Sequence, residues 1–399
     1  MTIIIGLGPA GATASMFLSK RQIPHIILEQ AEAFPRDKIC GDGIDGNCMR
    51  VLYNYDPAVL QKLKDDTTNF SKVRGLRITA PNRDTSEMFC KHPEPVFLTG
   101  KRFYFDKFLF EQLNPQYADI RLGATVTNLE RKNGGIEITY TQNGAQHIVF
   151  TKMLLGADGD HSVVQRKLDK RAIDRRFYAA ALRIYTKNVA DMHPEGLLEV
   201  YFPRKYPVSY FWIFPLPNNE CNVGYGMASH QISKDKVNLK DALNDLITND
   251  ITLKHRFENA EFLEKPQGWG LPLAAKRRDC IGDNYLLLGD AASLIHPLSG
   301  EGIGSAMLSG FSAAAFVEHA FAQNKFDIQT LKQYQHEASK RLETEIKTYR
   351  IATSLAPEHW QHLFFNALIS TGYGKYSFES NSLDWQNTVY NKPIIVDLY

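Results

Sequence analysis

The order of apolar and polar positions at the start of the chain predicts a strand, a turn, a helix and a second strand. Residues 2–5 read TIII, residues 6–11 read GLGPAG, an apolar and small-residue stretch follows, and HIIL occupies residues 25–28. A short β-branched run before a glycine turn and an apolar helix is typical of a βαβ unit. We therefore expect an α/β fold built on a Rossmann-like parallel sheet.

Two later apolar runs end in acidic residues. LLGADG occupies residues 154–159 and YLLLGD occupies residues 285–290, so Asp158 and Asp290 follow predicted strands directly. Ligands of doubly wound sheets bind outside the carboxyl ends of the strands. Both carboxylates are therefore expected to face a binding crevice.

The middle of the chain, residues 176–275, alternates apolar and polar positions and predicts a second sheet. In its stretch YFWIFPLPNNECNVGYG (210–226), alternation places Tyr210, Trp212 and Phe214 on one face of a strand. Three rings on one face either fill a core or form the wall of a binding site, with polar tips that could orient a ligand. The strand by itself favours the core.

Composition and charge narrow the function classes. The 399 residues are 44% hydrophobic and 23% charged, which fits two globular domains, and a net charge of +2 predicts no nucleic-acid partner. Five cysteines without CxxC spacing predict a reducing, cytoplasmic location, with neither a disulfide framework nor a metal site. We expect no signal peptide before TIII, and no apolar run reaches the roughly 18 residues of a membrane span.

The first glycine turn has the spacing of a dinucleotide site. Gly6 permits a tight turn, Gly8 lets the backbone approach a pyrophosphate, and Gly11 lets the helix pack on the strand. Glu29, at the end of the second predicted strand, is placed to accept hydrogen bonds from ribose hydroxyls. The pair Pro9 and Ala10 resembles the GxGPAG variant that is usual in FAD proteins.

The second glycine-rich segment predicts contact with an anionic part of the ligand. Gly300, Gly302 and Gly304 expose backbone N–H groups at the start of a predicted helix, whose dipole favours negative charge. Asp290 precedes this segment and suits a ribityl or ribose hydroxyl. These positions fit a flavin dinucleotide.

Taken in order, these segments resemble the flavoprotein superfamily of the p-hydroxybenzoate hydroxylase fold. In that superfamily three segments line one FAD site: a glycine loop, here GLGPAG (6–11); a DG segment, here LLGADG (154–159); and a GD segment, here YLLLGD (285–290). KRFYFDKFL (101–109) is similar to the superfamily's RxxFDxxL helix. Gln165 stands where the DG segment usually carries arginine, which puts NADPH use in doubt. The resemblance implies FAD contacts at Gly6, Gly8, Pro9, Ala10, Gly11, Glu29, Arg36, Cys40, Gly41, Arg102, Val126, Asp158, Gly159, Asp290, Pro297, Gly300, Gly302 and Ile303.

Two segments resemble the geranylgeranyl reductase branch of that superfamily. FPRDKICGDGI (34–44) is similar to its PRxKxCGxG segment, and residues 210–226 match its YxWxFP signature followed by GxG. The resemblance implies that Tyr210, Trp212, Phe214, Gly224 and Gly226 bind substrate. It makes Cys40 and Tyr210 the catalytic candidates, although the flavin itself would do the chemistry.

The expected activity is reduction of carbon–carbon double bonds in an isoprenoid or similarly apolar small substrate, with NAD(P)H or a ferredoxin as electron donor. Alternatives are an aromatic monooxygenase, a flavin-dependent halogenase and a flavin-binding accessory protein. Against a halogenase, Ser209 and Tyr210 replace the glycine and first tryptophan of its GWxWxIP pattern. We expect the aromatic-rich stretch at 357–369 to pack against the body of the protein, and the alternatives are a cap on the substrate tunnel and peripheral contact with a membrane surface.

The same resemblance implies a discontinuous domain arrangement with three parts. The FAD-binding domain is expected at 1–75, 100–175 and 276–350, the β-sheet substrate domain at 76–99 and 176–275, and a C-terminal helical or tail segment at 351–399.

Overall fold

The computed structural model describes residues 1–91, 94–95, 97–169, 174, 177–274, 278–297, 299–340, 342–343, 346–347 and 394–398. Nearly all of the predicted tail segment, including the stretch at 357–369, lies outside these residues. The strands are β1 (Thr2–Ile5), β2 (His25–Leu28), β3 (Gly43–Ile44), β4 (Ser71–Val73), β5 (Gly75–Thr79), β6 (Thr85–Phe89), β7 (Phe97–Thr99), β8 (Ala118–Arg121), β9 (Thr125–Lys132), β10 (Gly135–Gln142), β11 (Ala145–Thr151), β12 (Met153–Gly156), β13 (Tyr178–Lys187), β14 (Leu197–Tyr201), β15 (Ser209–Pro215), β16 (Glu220–Ala228), β17 (Glu261–Phe262), β18 (Gln267–Pro272), β19 (Ile281–Gly282) and β20 (Tyr285–Leu287). The helices are α1 (Pro9–Lys20), α2 (Gly46–Tyr55), α3 (Pro57–Asp65), α4 (Arg102–Phe110), α5 (Ser229–Asp235), α6 (Leu239–Asn249), α7 (Lys254–Phe257), α8 (Ile303–Gln323) and α9 (Ile328–Lys340).

A six-stranded sheet has the order β19-β20-β12-β1-β2-β8, and every neighbouring pair except β19 and β20 is parallel. Strand β1 lies inside this sheet, and all four of its residues are buried. Burial on both faces explains why its sequence is a continuous apolar run. The Rossmann-like α/β fold expected from the sequence is thereby confirmed.

Small residues bring α1 and α8 into close contact on this sheet. Helix α1 begins at Pro9, a residue whose fixed φ and missing N–H suit the first helical position. A Cβ at Gly310 of α8 would lie 2.3 Å from the carbonyl oxygen of Ala10. The small-residue pattern of α8 therefore serves helix packing along its length, as well as the ligand site at its start.

The second large sheet has the order β17-β13-β16-β15-β14-β5-β6, and β18 also pairs with β13. Alternation along β15 separates two faces of this sheet. Phe211 and Ile213 are buried in a core cluster with Leu243 and Leu246 of α6. Tyr210, Trp212 and Phe214 therefore point to the opposite face, so this sheet's helix-covered core does not account for the three rings.

Two three-stranded sheets complete the described strands, in the orders β11-β10-β9 and β3-β7-β4. The first is a meander of hairpins, and the second ties the segment after β2 to the strand before α4. Within the described part of the chain, no helix is long and apolar enough to cross a membrane.

Candidate active site

A cavity of about 710 Å³ lies between the carboxyl edge of the parallel sheet and the open face of the second sheet. A volume of this size is usual for a cofactor or ligand site. Among its lining residues are most of the positions expected from the sequence: Gly6, Gly8, Pro9, Ala10, Glu29, Arg36, Cys40, Gly41, Arg102, Val126, Asp158, Gly159, Tyr210, Trp212, Phe214, Asp290, Gly300, Gly302 and Ile303. Gly11, Pro297, Gly224 and Gly226 do not line it.

The glycine loop after β1 needs its glycines for different reasons. Gly6 has φ +94, and a Cβ there would lie 2.4 Å from the carbonyl oxygen of Ala157 in the neighbouring DG segment. A Cβ at Gly11 would lie 2.0 Å from the carbonyl oxygen of Gly6, so Gly11 serves the packing of α1 on β1. At Gly8 a Cβ would meet only Arg36, at 3.6 Å, so that backbone is open toward the cavity.

Glu29 fixes the glycine loop from the end of β2. Its Oε2 accepts a hydrogen bond from the backbone N–H of Leu7 at 2.6 Å, and its Oε1 accepts one from that of Ala31 at 2.9 Å. The Arg36 guanidinium lies 3.9 Å from the same carboxylate. This corner of the cavity thus combines a fixed carboxylate, a cation and the N-terminal end of α1, the groups that bind a ribose and a diphosphate.

The two strand-end carboxylates both face the cavity. Oδ2 of Asp158 accepts from the backbone N–H groups of Val163 and Val164, at 2.6 and 3.2 Å, while Oδ1 is buried without a hydrogen-bond partner. Burial raises the pKa of Asp158 and also that of Asp290. Buried polar atoms in native proteins almost always have a partner, so the orphaned Oδ1 indicates a ligand hydroxyl at this place.

The segment before α8 joins the cofactor side of the cavity to the substrate side. Gly300 has φ +75, and the Tyr210 hydroxyl packs 2.7 Å from where its Cβ would lie. That hydroxyl donates a hydrogen bond to the carbonyl oxygen of Ser299 at 2.9 Å. Gly304 differs from the expectation, because it does not line the cavity and instead makes room for the Asp45 carboxylate.

The three rings of β15 form a continuous surface. The centroids of Tyr210 and Trp212 are 5.7 Å apart, and those of Trp212 and Phe214 are 6.3 Å apart. Burial raises the pKa of Tyr210, and its proton already has an acceptor. We therefore interpret the Tyr210 hydroxyl as a group that anchors the ring. Because its proton is already donated to Ser299, it is less suited to protonate a substrate. The tip of Trp212 is also bonded to protein, so these rings present carbon to a ligand.

The first glycine of the GxG motif, Gly224, lies directly beneath this surface. Gly224 pairs with Trp212 across β15 and β16, and a Cβ at Gly224 would lie 2.1 Å from the indole ring. Bare backbone at Gly224 therefore lets the indole lie across β16. The resemblance had implied substrate contact at Gly224 and Gly226, but the structure gives Gly224 this packing role, since neither glycine reaches the cavity.

Cys40 lies in the loop after β2, beside the start of α4. Arg102 of α4 forms a buried two-point ion pair with Asp106, with N···O distances of 2.7 and 2.9 Å. Burial raises the pKa of the Cys40 thiol. The neighbouring Arg102 guanidinium acts in the opposite direction, but the effect of burial is larger. The thiol therefore holds its proton at neutral pH, and the catalytic role of Cys40 stays a prediction.

The residues of the cavity fit FAD. Arg36 and the N-terminal end of α1 would hold the diphosphate, Glu29 a ribose, and Asp158 and Asp290 the hydroxyls between the diphosphate and the flavin. The open backbone at Gly8 and at Gly159, where a Cβ would meet nothing within 4 Å, leaves room for close approach.

Sequence reasoning missed three polar residues of the site: Lys38, Asp42 and Asn222. Asp42 accepts from the Tyr185 hydroxyl at 2.7 Å and from the Asn222 amide at 2.8 Å, and burial raises its pKa to about 6. Burial lowers the pKa of Lys38 to about 8, and its ammonium lies 3.2 Å from the centroid of the Trp269 ring. All three lie within stretches of sequence already singled out. The available signal was a polar residue, Asn222, on the ring-bearing face of an apolar strand pair.

The chain matches the FAD binding domain family over residues 1–347. It is 25% identical over 335 residues to the digeranylgeranylglycerophospholipid reductase of Methanococcus vannielii, which covers 84% of this chain and 80% of that protein. It is 28% identical over 327 residues to the menaquinone reductase of Mycobacterium tuberculosis, covering 79% and 76%. The crystal structure of a geranylgeranyl bacteriochlorophyll reductase-like protein from Thermoplasma acidophilum superimposes with a TM-score of 0.79 at 22% identity, over 98% of this chain and 96% of that one. The chain therefore belongs to the FAD binding domain family and is an FAD-dependent oxidoreductase that resembles the geranylgeranyl reductases.

Proposed function

We propose that this flavoprotein reduces carbon–carbon double bonds in an isoprenoid or similarly apolar substrate. The observation that carries the proposal is the composition of the cavity on its second-sheet side. Beyond the three rings of β15, this side is lined by aliphatic and aromatic residues of β14, β5 and the loop after β14: Leu76, Ile78, Leu198, Val200 and Phe202. Neighbouring strands lie about 4.8 Å apart, so this apolar surface extends about 10 Å from β15 to β5.

Such a surface supports binding of a long apolar group and disfavours a small polar substrate. Burial of apolar area contributes about 25 cal/mol per Å². An apolar surface that spans β15, β14 and β5 therefore gives substantial affinity without any polar contact. The named activities of the relatives from Methanococcus vannielii and Mycobacterium tuberculosis are reductions of apolar molecules, which agrees with this reading.

Reduced FAD, when bound, supplies the hydride for such a reduction. The chain itself contributes position and a dry environment, because the rings of β15 cover one side of the cavity and their polar tips are bonded to protein. Besides the Cys40 thiol, two groups that line the cavity, Lys38 and Glu301, have pKa values shifted toward neutral pH. Burial lowers the pKa of Lys38 to about 8, and loss of solvation together with the nearby Asp45 carboxylate raises the pKa of Glu301. Either group is suited to supply the second hydrogen as a proton.

The experiment follows product mass under controlled oxygen. The purified protein is loaded with FAD, reduced anaerobically with dithionite and offered polyprenyl lipids and menaquinone, with NADH, NADPH and reduced ferredoxin compared afterwards as donors. A gain of two hydrogens per reduced bond supports the proposal. A gain of one oxygen that needs air would indicate a monooxygenase, and a halide-dependent product would indicate a halogenase. FAD binding with no turnover of any of these substrates would instead indicate a flavin-binding accessory protein.

A double variant tests whether the rings of β15 form a substrate-binding wall. Tyr210→Ala with Trp212→Ala should lower kcat/KM for the polyprenyl substrate while the flavin absorbance per protein stays unchanged. Phe150→Ala, which removes an exposed ring on β11 outside the cavity, is the control and should leave both quantities unchanged. Equal kcat/KM in the double variant and the control would contradict the wall assignment.

A further inference from the structure

Asn222 is a fully buried amide that connects the substrate side of the cavity to the loop carrying Cys40. Its Oδ1 accepts a hydrogen bond from Nε1 of Trp212 at 2.8 Å. Its Nδ2 donates to the backbone carbonyl of Cys40 and to Oδ2 of Asp42, both at 2.8 Å. An indole N–H only donates, so the amide has one possible orientation here.

The loop on the other side of this amide is held by several charged and titratable groups. Asp42 itself has φ +63, a backbone conformation that is uncommon outside glycine, asparagine and aspartate. Its carboxylate faces Asn222 of β16, Tyr185 and the buried Arg183 of β13, Arg102 of α4 and the neighbouring Cys40. The Arg183 guanidinium also stacks on the Tyr185 ring, 3.8 Å from its centroid.

The loop approaches the rings closely at the residue between these two hydrogen bonds. A Cβ at Gly41 would lie 3.7 Å from the Phe214 ring and 3.9 Å from Nε1 of Trp212. Among the residues that the structure describes, Asn222 is the hydrogen-bond partner of Nε1 of Trp212, so the separation between the loop and the indole is set by this amide and by van der Waals contact.

We propose that Asn222 is a positioning residue that fixes the Trp212 indole relative to the Cys40–Asp42 loop, and so fixes where the substrate lies against the cofactor. This role rests on the proposed reductase function. Asn222 lies behind the cavity surface and would act on a ligand indirectly, through the position of Trp212. A displacement of about 1 Å in a positioning group can cost about 100-fold in rate.

Only an amide satisfies all three partners, and this makes the role separable from simple core filling. Asn222→Leu keeps the volume but removes the acceptor for Trp212 and both donors. Asn222→Asp keeps the shape and the acceptor but places a second carboxyl against the Asp42 carboxylate. Two carboxyls at hydrogen-bond distance share one proton, because both cannot ionise together. With one proton shared, the introduced carboxyl still accepts from Trp212 and its pair with Asp42 keeps one hydrogen bond toward the loop, whereas the doubly ionised pair has no donor for the loop.

The first test uses no substrate. The protein has four tryptophans, so ¹⁵N-tryptophan labelling gives few indole signals, and Trp212→Phe identifies the relevant one. In Asn222→Leu we expect that signal to shift and its hydrogen exchange to accelerate at least tenfold, with FAD still bound. An unchanged Trp212 signal would overturn the inference even if the reductase activity is demonstrated.

The second test is a pH profile. Between pH 7 and 9, Asn222→Asp should show kcat/KM about 10- to 100-fold below that of the native protein at the high end, recovering as the pH falls, while Asn222→Leu shows no recovery. Asn244→Asp, the same change at an exposed position on α6, is the control and should follow the native profile. A profile of Asn222→Asp parallel to that of Asn222→Leu would refute the positioning role. A native protein without reductase activity would refute the proposed function instead, and the indole measurement would still decide the inference.

Discussion

A methyl group at Gly224 tests whether the Trp212 indole owes its position to bare backbone on the neighbouring strand. A Cβ built at Gly224 lies 2.1 Å from Cζ2 of Trp212 and 2.4 Å from the carbonyl oxygen of Leu182 on β13. Ordinary contact begins at 3.4 Å, so the ring must move by about 1.3 Å, and movement of the ring leaves the clash with Leu182 in place. We expect Gly224→Ala to cost about 1–3 kcal/mol of stability, the range for overpacking a well-packed site.

The same strand supplies the matched control. A Cβ at Gly226 would lie 3.5 Å from Cβ of Ala181 and 3.7 Å from the Trp212 ring, both ordinary contacts. Gly226→Ala should therefore change stability little. Chemical denaturation and thermal unfolding of the FAD-loaded proteins give the stability difference, and substrate titration gives KM. Gly224→Ala should unfold a few degrees lower and show a raised KM. Equal midpoints and equal KM values for the two alanine variants would refute the account of the GxG motif.

Three further predictions concern the charged groups. Arg102→Met should destabilise the protein by about 3–5 kcal/mol because it leaves the Asp106 carboxylate buried and unpaired, and adding Asp106→Leu should restore much of the stability but not the FAD affinity, as measured by denaturation and flavin titration. The pKa of Asp42 is raised in the folded state to about 6, so the folded protein binds more protons than the unfolded chain between about pH 4 and 6, and stability falls there as pH rises. The stability of Asp42→Asn relative to the native protein should therefore increase from pH 4 to pH 7, and a constant difference would contradict that pKa. Lys38, with its pKa near 8, should be acylated at pH 8 faster than Lys205, whose pKa is raised by its hydrogen bond to a carboxylate, and mass spectrometry of the labelled peptides measures the ratio.

The cofactor side of the molecule could be predicted because its sequence signals are local. Gly6 and Gly11 are required by backbone contacts within a single βαβ unit, and Asp158 and Asp290 directly follow the strands that place them. The periodicity of one strand also predicts that Tyr210, Trp212 and Phe214 share a face. Each inference needs only the geometry of one element.

The polar connections between the two sheets could not be predicted in this way. The bond from Asn222 to the Cys40 carbonyl joins residues 182 positions apart, and the bond from Tyr185 to Asp42 joins residues 143 apart. Such pairs depend on how the second sheet docks on the first, which no local pattern specifies. For the same reason no local pattern indicates that Gly224 packs against the Trp212 ring, since this contact lies across a strand pair.

The strand order of the parallel sheet also bears on when the protein can acquire its cofactor. Strand β1 pairs with β2 and β12, and β12 pairs with β20, so the crevice is assembled from segments about 280 residues apart in the chain. During synthesis the helix that begins at Ile303 emerges long after the Gly6 loop, so a complete FAD site cannot form on a partial chain. A ligand that binds only the folded state stabilises it by mass action. Flavin supply should therefore govern how much of the newly made protein survives proteolysis, with little effect on how fast its first strands fold.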